Sequence, residues 1–144
     1  MARVNRSALV MFSAEQMFRL VNDVEAYPYF LPGCVTGKVL EQSNDKMIAA
    51  VGVSKAGIHK TFTTRNTLAP YNSINMELVD GPFKMLRGIW RFISLDEHAC
   101  KIELDLEFEF MSPLIELAFG KIFRELTGAM VQAFTQRAKE VYGA

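Results

Sequence analysis

Cysteine and histidine are scarce in this sequence of 144 residues. Cys34 and Cys100 lie far apart and form no Cys-x-x-Cys spacing, so neither a disulfide framework nor a zinc site is indicated. The two histidines, His59 and His98, share no spacing with cysteine or carboxylate ligands. The sequence therefore predicts a protein of a reducing compartment that has no metal site.

Long hydrophobic runs and an excess of one charge are also missing. The longest apolar stretch, near Ile48–Val53, is far shorter than the roughly 20 residues that cross a bilayer. The apolar segment Ala8–Phe12 is too short for the core of a signal peptide. The 16 Lys and Arg cancel the 16 Asp and Glu, which argues against a DNA-binding protein. We expect one soluble, cytoplasmic domain over residues 1–144, with at most peripheral contact with the inner membrane.

Familiar catalytic motifs are absent as well. The sequence has no Gly-x-Ser-x-Gly elbow, no His-Glu-x-x-His and no dinucleotide-binding glycine set. Glu103, Asp105, Glu107 and Glu109 share one face of a strand, which fits a solvated sheet exterior better than an acid–base pair. We therefore predict no catalytic residue and no cofactor, and interpret the chain as a binding protein.

The order of elements predicts a strand, two short helices, six further strands and a long helix. Ser13–Gln16 has the pattern of a capping box before a helix over Ala14–Asn22. Pro28 and Pro32 confine Glu25–Leu31 to a short second helix or turn. Turn sequences separate the later strands, which are predicted at Val35–Gln42, Met47–Lys55, Ile58–Leu68, Ser73–Val79, Met85–Leu95 and Cys100–Phe110.

The long helix determines the predicted fold class. Ser112 and Pro113 predict its start, and Gly143 would stop it after Tyr142. An antiparallel sheet with one apolar face must cover that face, and only this helix is long enough to do so. The predicted class is α+β, with a curved antiparallel sheet of about seven strands wrapped on the C-terminal helix and room for a cavity between them.

Two compositional features favour different functions. No acidic residue occurs from Lys46 to Met76, and a basic face there would suit a phosphate backbone or anionic lipid, although ordinary cross-strand ion pairing also explains it. Eleven Phe and eight Met supply adaptable apolar surface, which is typical of pockets for flexible ligands and equally of a packed core.

Four motifs in order resemble those of a known family: Val24–Pro32, Thr64–Asn66, Gly81–Phe92 and Met130–Gly143. Together they resemble the START-like polyketide cyclase/coenzyme-Q-binding family, in its bacterial branch of ribosome association toxins. The likeness covers nearly the whole chain. One position departs from the pattern, because Gly33 stands where relatives usually carry Trp.

The resemblance implies a helix-grip fold and two alternative activities. In the first, an isoprenoid quinone such as ubiquinone, or a related lipid, lies between the sheet and the C-terminal helix and supports respiration. In the alternative, the chain binds the large (50S) ribosomal subunit and blocks subunit joining. The candidate ribosome or anion contacts are Lys55, Lys60 and Arg65. The candidate ligand-binding residues at the mouth of the cavity are Pro28, Phe30, Leu31, Pro82 and Phe83. Those expected in its walls are Trp90, Phe92, Phe108, Phe110, Phe119, Phe123 and Met130, and Leu86 is a further candidate.

Trp90, the only tryptophan, gives a direct expectation about the inside of the sheet. It shares a strand face with Leu86 and Phe92 at period two, whereas Arg87 and Arg91 point to the other side. The charged side should face water, so we predict that Trp90 lies inside.

Overall fold

The computed structural model describes residues 2–143 as one curved sheet packed against one long helix. All strand pairs are antiparallel, and the sheet has the order β1-β7-β6-β5-β4-β3-β2. This arrangement confirms the predicted α+β, helix-grip class. The elements are β1 Ala2–Val10, α1 Ala14–Asn22, a 3₁₀ helix Val24–Tyr29, β2 Cys34–Gln42, β3 Lys46–Lys55, β4 Ile58–Ala69, β5 Ser73–Asp80, β6 Phe83–Asp96, β7 Ala99–Phe110 and α2 Pro113–Tyr142.

The helix ends form as the sequence predicts. The Gln16 backbone N–H donates to the Ser13 hydroxyl at 3.1 Å, and the Ser13 N–H donates to Gln16 Oε1 at 2.9 Å, which completes the capping box. Ser112 caps α2 in the same way, because its hydroxyl accepts from the Ile115 N–H at 3.2 Å. Gly143 ends α2 with a positive φ of 87°.

Alternation along the strands divides the sheet into an inner face, toward α2, and an outer face. On β7 the even-numbered residues Ile102 to Phe110 are buried, and the odd-numbered residues between them are not. Trp90 is buried on the inner face of β6, opposite Leu104 of β7, whereas Arg87 and Arg91 lie on the outer face. The orientation predicted for this strand is therefore confirmed.

Aromatic contacts attach α2 to the inner face at two places. Near the start of the helix, the Phe123 ring centroid lies 4.8 Å from that of Phe83 and 4.9 Å from that of Phe108. Nearer its end, the Phe134 ring lies 5.4 Å from both Trp90 and Tyr27. The helix is thus clamped along its length by edge-on and tilted ring pairs, the geometry that aromatic side chains favour.

Two glycines give opposite predictions for stability. A Cβ on Gly128, inside α2, would meet nothing closer than Arg6 Nη2 at 3.7 Å. Gly128→Ala should therefore raise the free energy of unfolding by about 0.5–1 kcal/mol. A Cβ on Gly37 of β2 would collide with the Val24 carbonyl oxygen, so Gly37→Ala should lower it by about 1–3 kcal/mol. Urea unfolding followed by circular dichroism measures both, and a neutral Gly37→Ala would contradict the packing of the 3₁₀ helix on β2.

Candidate functional site

An apolar cavity lies between the inner face of the sheet and α2. Its volume is about 70 Å³, well below the roughly 300 Å³ at which ligand pockets usually begin. It is lined by Val24, Tyr27, Leu31, Ala49, Val51, Phe62, Thr64, Asn66, Met76, Leu86, Trp90, Leu104, Leu106, Phe123, Leu126, Thr127 and Met130. The space is therefore a small remainder of the core.

Five of the thirteen predicted ligand-binding residues line this cavity, namely Leu31, Leu86, Trp90, Phe123 and Met130. Four others fill the clamp near the start of α2, where their rings pack on one another: Phe83, Phe108, Phe110 and Phe119. Phe92 packs between Trp90 and Phe18, and Phe30 packs on Phe134. Most of the predicted aromatic wall therefore serves as core.

The predicted mouth does not form an opening. Leu31 and Phe83 are 4% and 2% exposed, so they cannot rim a passage to solvent. Pro28 lies against β2 beside Gly37, and the Pro82 carbonyl accepts a hydrogen bond from the Met111 N–H at 3.0 Å. The two segments predicted at the mouth, around Pro28 and Pro82, are therefore held by local packing and by a backbone hydrogen bond.

Sequence reasoning missed three buried polar side chains in the cavity wall, Thr64, Asn66 and Thr127. The Thr64 hydroxyl donates to Asn66 Oδ1 at 2.8 Å, and the Thr127 hydroxyl donates to the Phe123 carbonyl at 2.9 Å. Among the described residues the Asn66 side-chain nitrogen makes no hydrogen bond, although Asn66 is only 7% exposed. The cavity therefore holds one amide donor that a neutral oxygen could accept from.

Ionisable groups near the cavity are few and uncharged. The buried Tyr27 hydroxyl donates to the Val21 carbonyl, and burial raises its pKa. Burial also raises the pKa of the Cys34 and Cys100 thiols to about 11, so neither is a ready nucleophile. Within residues 2–143, no group of three or more His, Cys, Asp or Glu side chains could hold a metal ion.

The outer face of the sheet has two halves with different charge arrangements. Over β6, β7 and β1, which we call the paired half, each outward acid of β7 has a basic neighbour at 2.8 to 3.9 Å. The pairs are Glu103–Arg91, Asp105–Arg3, Glu107–Arg87 and Glu109–Lys84. The Arg3 guanidinium also holds the pKa of Asp105 below its ordinary value. Cross-strand pairing thus accounts for the acidic end of the sequence.

The predicted basic contacts Lys55, Lys60 and Arg65 do not share a face. Lys55 turns toward α2, where its Nζ lies 2.9 Å from Glu125 Oε2. Lys60 has the same parity along β4 as the inward-facing Phe62, whereas Arg65 points outward. The trio is therefore divided by the alternation of the strands.

A different set of cations does share one face. Lys38, Lys46 and Arg65 are exposed on the outer face of β2, β3 and β4, which we call the basic half. None of the three has an ion pair within the described residues, and Glu41 is the one acid in these strands. The same face presents hydroxyl groups of Thr36, Ser54, Thr61, Thr63 and Thr67.

A curved antiparallel sheet that grips a C-terminal helix over an apolar cavity defines a START-like, helix-grip protein. The chain belongs to the polyketide cyclase/dehydrase and lipid transport family, whose model matches residues 10–135. Within residues 2–143, no helix combines the length and apolar composition that a membrane span requires.

Two relatives with different names match this chain at different levels of identity. Ribosome association toxin RatA of Vibrio cholerae is 70% identical over 99% of this chain and 99% of its own length. The mitochondrial coenzyme Q-binding protein COQ10 homolog B of Xenopus laevis is 29% identical over 96% of this chain and 59% of that protein. These names agree with the family resemblance found in the sequence.

Solved structures agree in fold. The Zhui aromatase/cyclase from Streptomyces sp. R1128 has a TM-score of 0.83 at 19% identity, over 96% of this chain and 94% of that chain. A START superfamily protein from Mycobacterium smegmatis has a TM-score of 0.79 at 22% identity, over 96% and 98%. Both show that the helix-grip architecture extends over almost the whole chain.

Replacing Trp90 tests whether the inner face is packed core. Trp90 is 1% exposed, so Trp90→Ala should lower the free energy of unfolding by about 3–5 kcal/mol. Ile93→Ala on the outer face of the same strand is the control, with an expected loss below about 1 kcal/mol because Ile93 is 44% exposed. Urea unfolding followed by circular dichroism compares the two. Equal losses would show that Trp90 faces a roomy, solvent-filled site.

Proposed function

We propose that this chain binds the large ribosomal subunit through its surface and blocks joining with the small subunit. The observation that carries this proposal is the 70% identity, over almost the full length of both chains, with a protein named ribosome association toxin. Such a role needs no catalytic group and would be exercised in the cytoplasm, where ribosomes are.

The small cavity supports a surface function. At about 70 Å³ it holds no more than a few water-sized groups, so an isoprenoid chain requires the core to open. Opening would separate rings that pack on α2 at 4.8 to 5.4 Å, which costs packing energy. Binding through a preformed outer surface has no such cost.

We place the ribosome contact on the basic half of the outer face. Phosphate backbones are bound by Arg and Lys together with Ser and Thr hydroxyls, and this face offers both. Lys38, Lys46 and Arg65 need not break an ion pair to bind a phosphate, whereas the cations of the paired half must do so. Of the predicted trio, Arg65 therefore remains in the proposed contact.

Gly52 makes the middle of this face flat. It lies on β3 between Thr36 and Thr61, and a Cβ there would collide with the Thr36 hydroxyl and lie 3.5 Å from the Thr61 hydroxyl. The two hydroxyls converging on Gly52 would give an RNA phosphate hydrogen-bond donors at short range.

Charge reversal on the basic half tests the contact. Lys46→Glu with Arg65→Glu should weaken binding to large subunits about tenfold at 0.1 M salt. The slope of the logarithm of the binding constant against the logarithm of the salt concentration should become shallower by about two, because each lost phosphate contact lowers it by about one. Sedimentation of the chain with purified subunits at several salt concentrations measures both quantities.

Two controls locate the effect when compared with the single variant Arg65→Glu. Lys101→Glu makes the same single charge reversal on the outer face of the paired half, and Lys60→Glu makes it on the inner side of β4; both should bind nearly as the parent chain does. Sucrose gradients provide the functional readout, since the parent chain should deplete joined ribosomes. An unchanged peak of joined ribosomes at saturating chain would contradict the proposed function, and equal weakening by Lys101→Glu would contradict the proposed face.

Binding of a neutral apolar ligand is a second candidate function, favoured by the Asn66 side chain. Asn66 is 7% exposed as a residue and lines the cavity, and its amide nitrogen has no hydrogen-bond partner in the described structure. This nitrogen is not among the wholly enclosed atoms without a partner, so an oxygen in the cavity, from water or from a ligand, can accept from it. The remaining wall is apolar apart from Thr64, Thr127 and the un-ionised Tyr27. These features suit an uncharged molecule with a carbonyl or ether oxygen, such as a quinone.

Asn66→Leu tests this second function. Decylubiquinone added to the parent chain should quench the emission of Trp90 saturably, because Trp90 lines the cavity. Asn66→Leu should raise the dissociation constant about tenfold through loss of the donor. Thr127→Val is the matched control, since the Thr127 hydroxyl already donates within α2. Absence of saturable quenching in the parent chain would remove this function, and equal weakening by Thr127→Val would remove the role of Asn66.

A further inference from the structure

The sheet contains an interruption between β5 and β6. Their ladder pairs Ser73–Glu77 with Arg87–Arg91 and then stops. The same register would next place Leu78 opposite Leu86, and that pair does not form among the described residues. On their opposite edges both strands remain paired, Leu78 with Thr64 of β4 and Leu86 with Phe108 of β7.

A wide, solvent-open groove lies at this interruption on the outer face. Its volume is about 590 Å³, and its walls are Asn75–Leu78 on one side and Lys84–Ile89 on the other, with Asp105 and Glu107 beyond. Bulges between Thr63 and Thr64 and between Phe83 and Met85 accompany the separation of the strands. Such bulges bend strands and increase their twist, so the groove is built into the sheet.

The groove and the internal cavity are separated by two side chains. Met76 and Leu86 line both spaces. A second depression, about 340 Å³ in volume, shares only Leu126 with the cavity and is bridged by the ion pair between Lys55 and Glu125. The wall is therefore thinnest on the side of the sheet interruption.

Met76 is the part of that wall best able to move. The inner-face row across the sheet runs Asn66, Met76, Gly88 and Leu106. Gly88 has no side chain of its own beside Met76, and the Leu106 side chain covers the place where its Cβ would be. Met76 is only partly buried, and an unbranched thioether side chain changes rotamer easily. On the far side of Met76 lies Asn66, whose amide nitrogen has no partner in the described structure.

We propose that the interruption between β5 and β6 is a lateral access route, through which a slender apolar molecule with a carbonyl or ether oxygen passes Met76 and reaches Asn66. This inference rests on the second candidate function and adds the path to it. The polar rim of Glu77, Lys84 and Arg87 would remain outside with any polar end of the ligand. Rotation of Met76 would open the entrance, whereas room for the ligand beyond the cavity of about 70 Å³ would come from rearrangement of the core around it.

Acrylamide quenching of Trp90 tests the route without a ligand. Met76→Ala should raise the quenching constant about threefold, and Met76→Phe should lower it, because access depends on the opening of this side chain. Met130→Ala is the matched control: Met130 lines the same cavity from α2 but not the groove, so its truncation adds similar space without widening the route. Lys55→Ala controls for the second depression.

Stopped-flow mixing with decylubiquinone then follows the ligand itself. Met76→Ala should increase the association and dissociation rates by a similar factor, so that the dissociation constant stays within about twofold of the parent value. The proposed route would be overturned if the quenching constants and rates changed in Met130→Ala or Lys55→Ala but not in the Met76 variants. Acrylamide access that follows Met76 without saturable quinone binding would contradict the ligand-binding function and the proposed ligand, and would leave the route as a path for small solutes.

Discussion

The structure depends on the aromatic clamp between α2 and the inner face of the sheet. Phe123 packs against Phe83 and Phe108 near one end of the helix, and Phe134 packs against Trp90 and Tyr27 near the other. A seven-stranded sheet with one apolar face has no other long element to cover it. The space left between the two sets of rings is the cavity of about 70 Å³. The clamp that completes the fold thus also limits what the interior can hold.

With the inner face used for packing, the outer face is the surface on which we place recognition. Its paired half neutralises its own charges, since each outward acid of β7 has a basic neighbour. Exposed pairs of this kind add only about 0.2–1 kcal/mol each to stability. Their greater effect is to leave the basic half, with Lys38, Lys46 and Arg65, as the part of the face with unused positive charge. A protein with no net charge can thereby offer a local anion-binding surface.

Period-two alternation, turn residues and capping sequences were sufficient to predict the fold. For each of the last six strands, the predicted first and last residues lie within two residues of those in the structure. Parity assigns a residue to a face, but which inward side chains fill the core is decided by three-dimensional packing. Phe108 and Phe123 therefore looked equivalent, although only Phe123 lines the cavity. Alternation along β4 does place Lys60 and Arg65, which are five residues apart, on opposite faces of the sheet. It also places Asn66 on the same inner face as Leu68. The interruption beside Met76 arises from bulges, which alternation does not reveal.

The central claim is that a filled interior leaves recognition to the basic half of the outer face. Cryo-electron microscopy of the chain bound to the large ribosomal subunit tests this claim most directly. The account predicts density for ribosomal RNA against β2, β3 and β4, with Arg65 and Lys46 at phosphates and the paired half in solvent. A complex in which α2 or the paired half faces the subunit would contradict it.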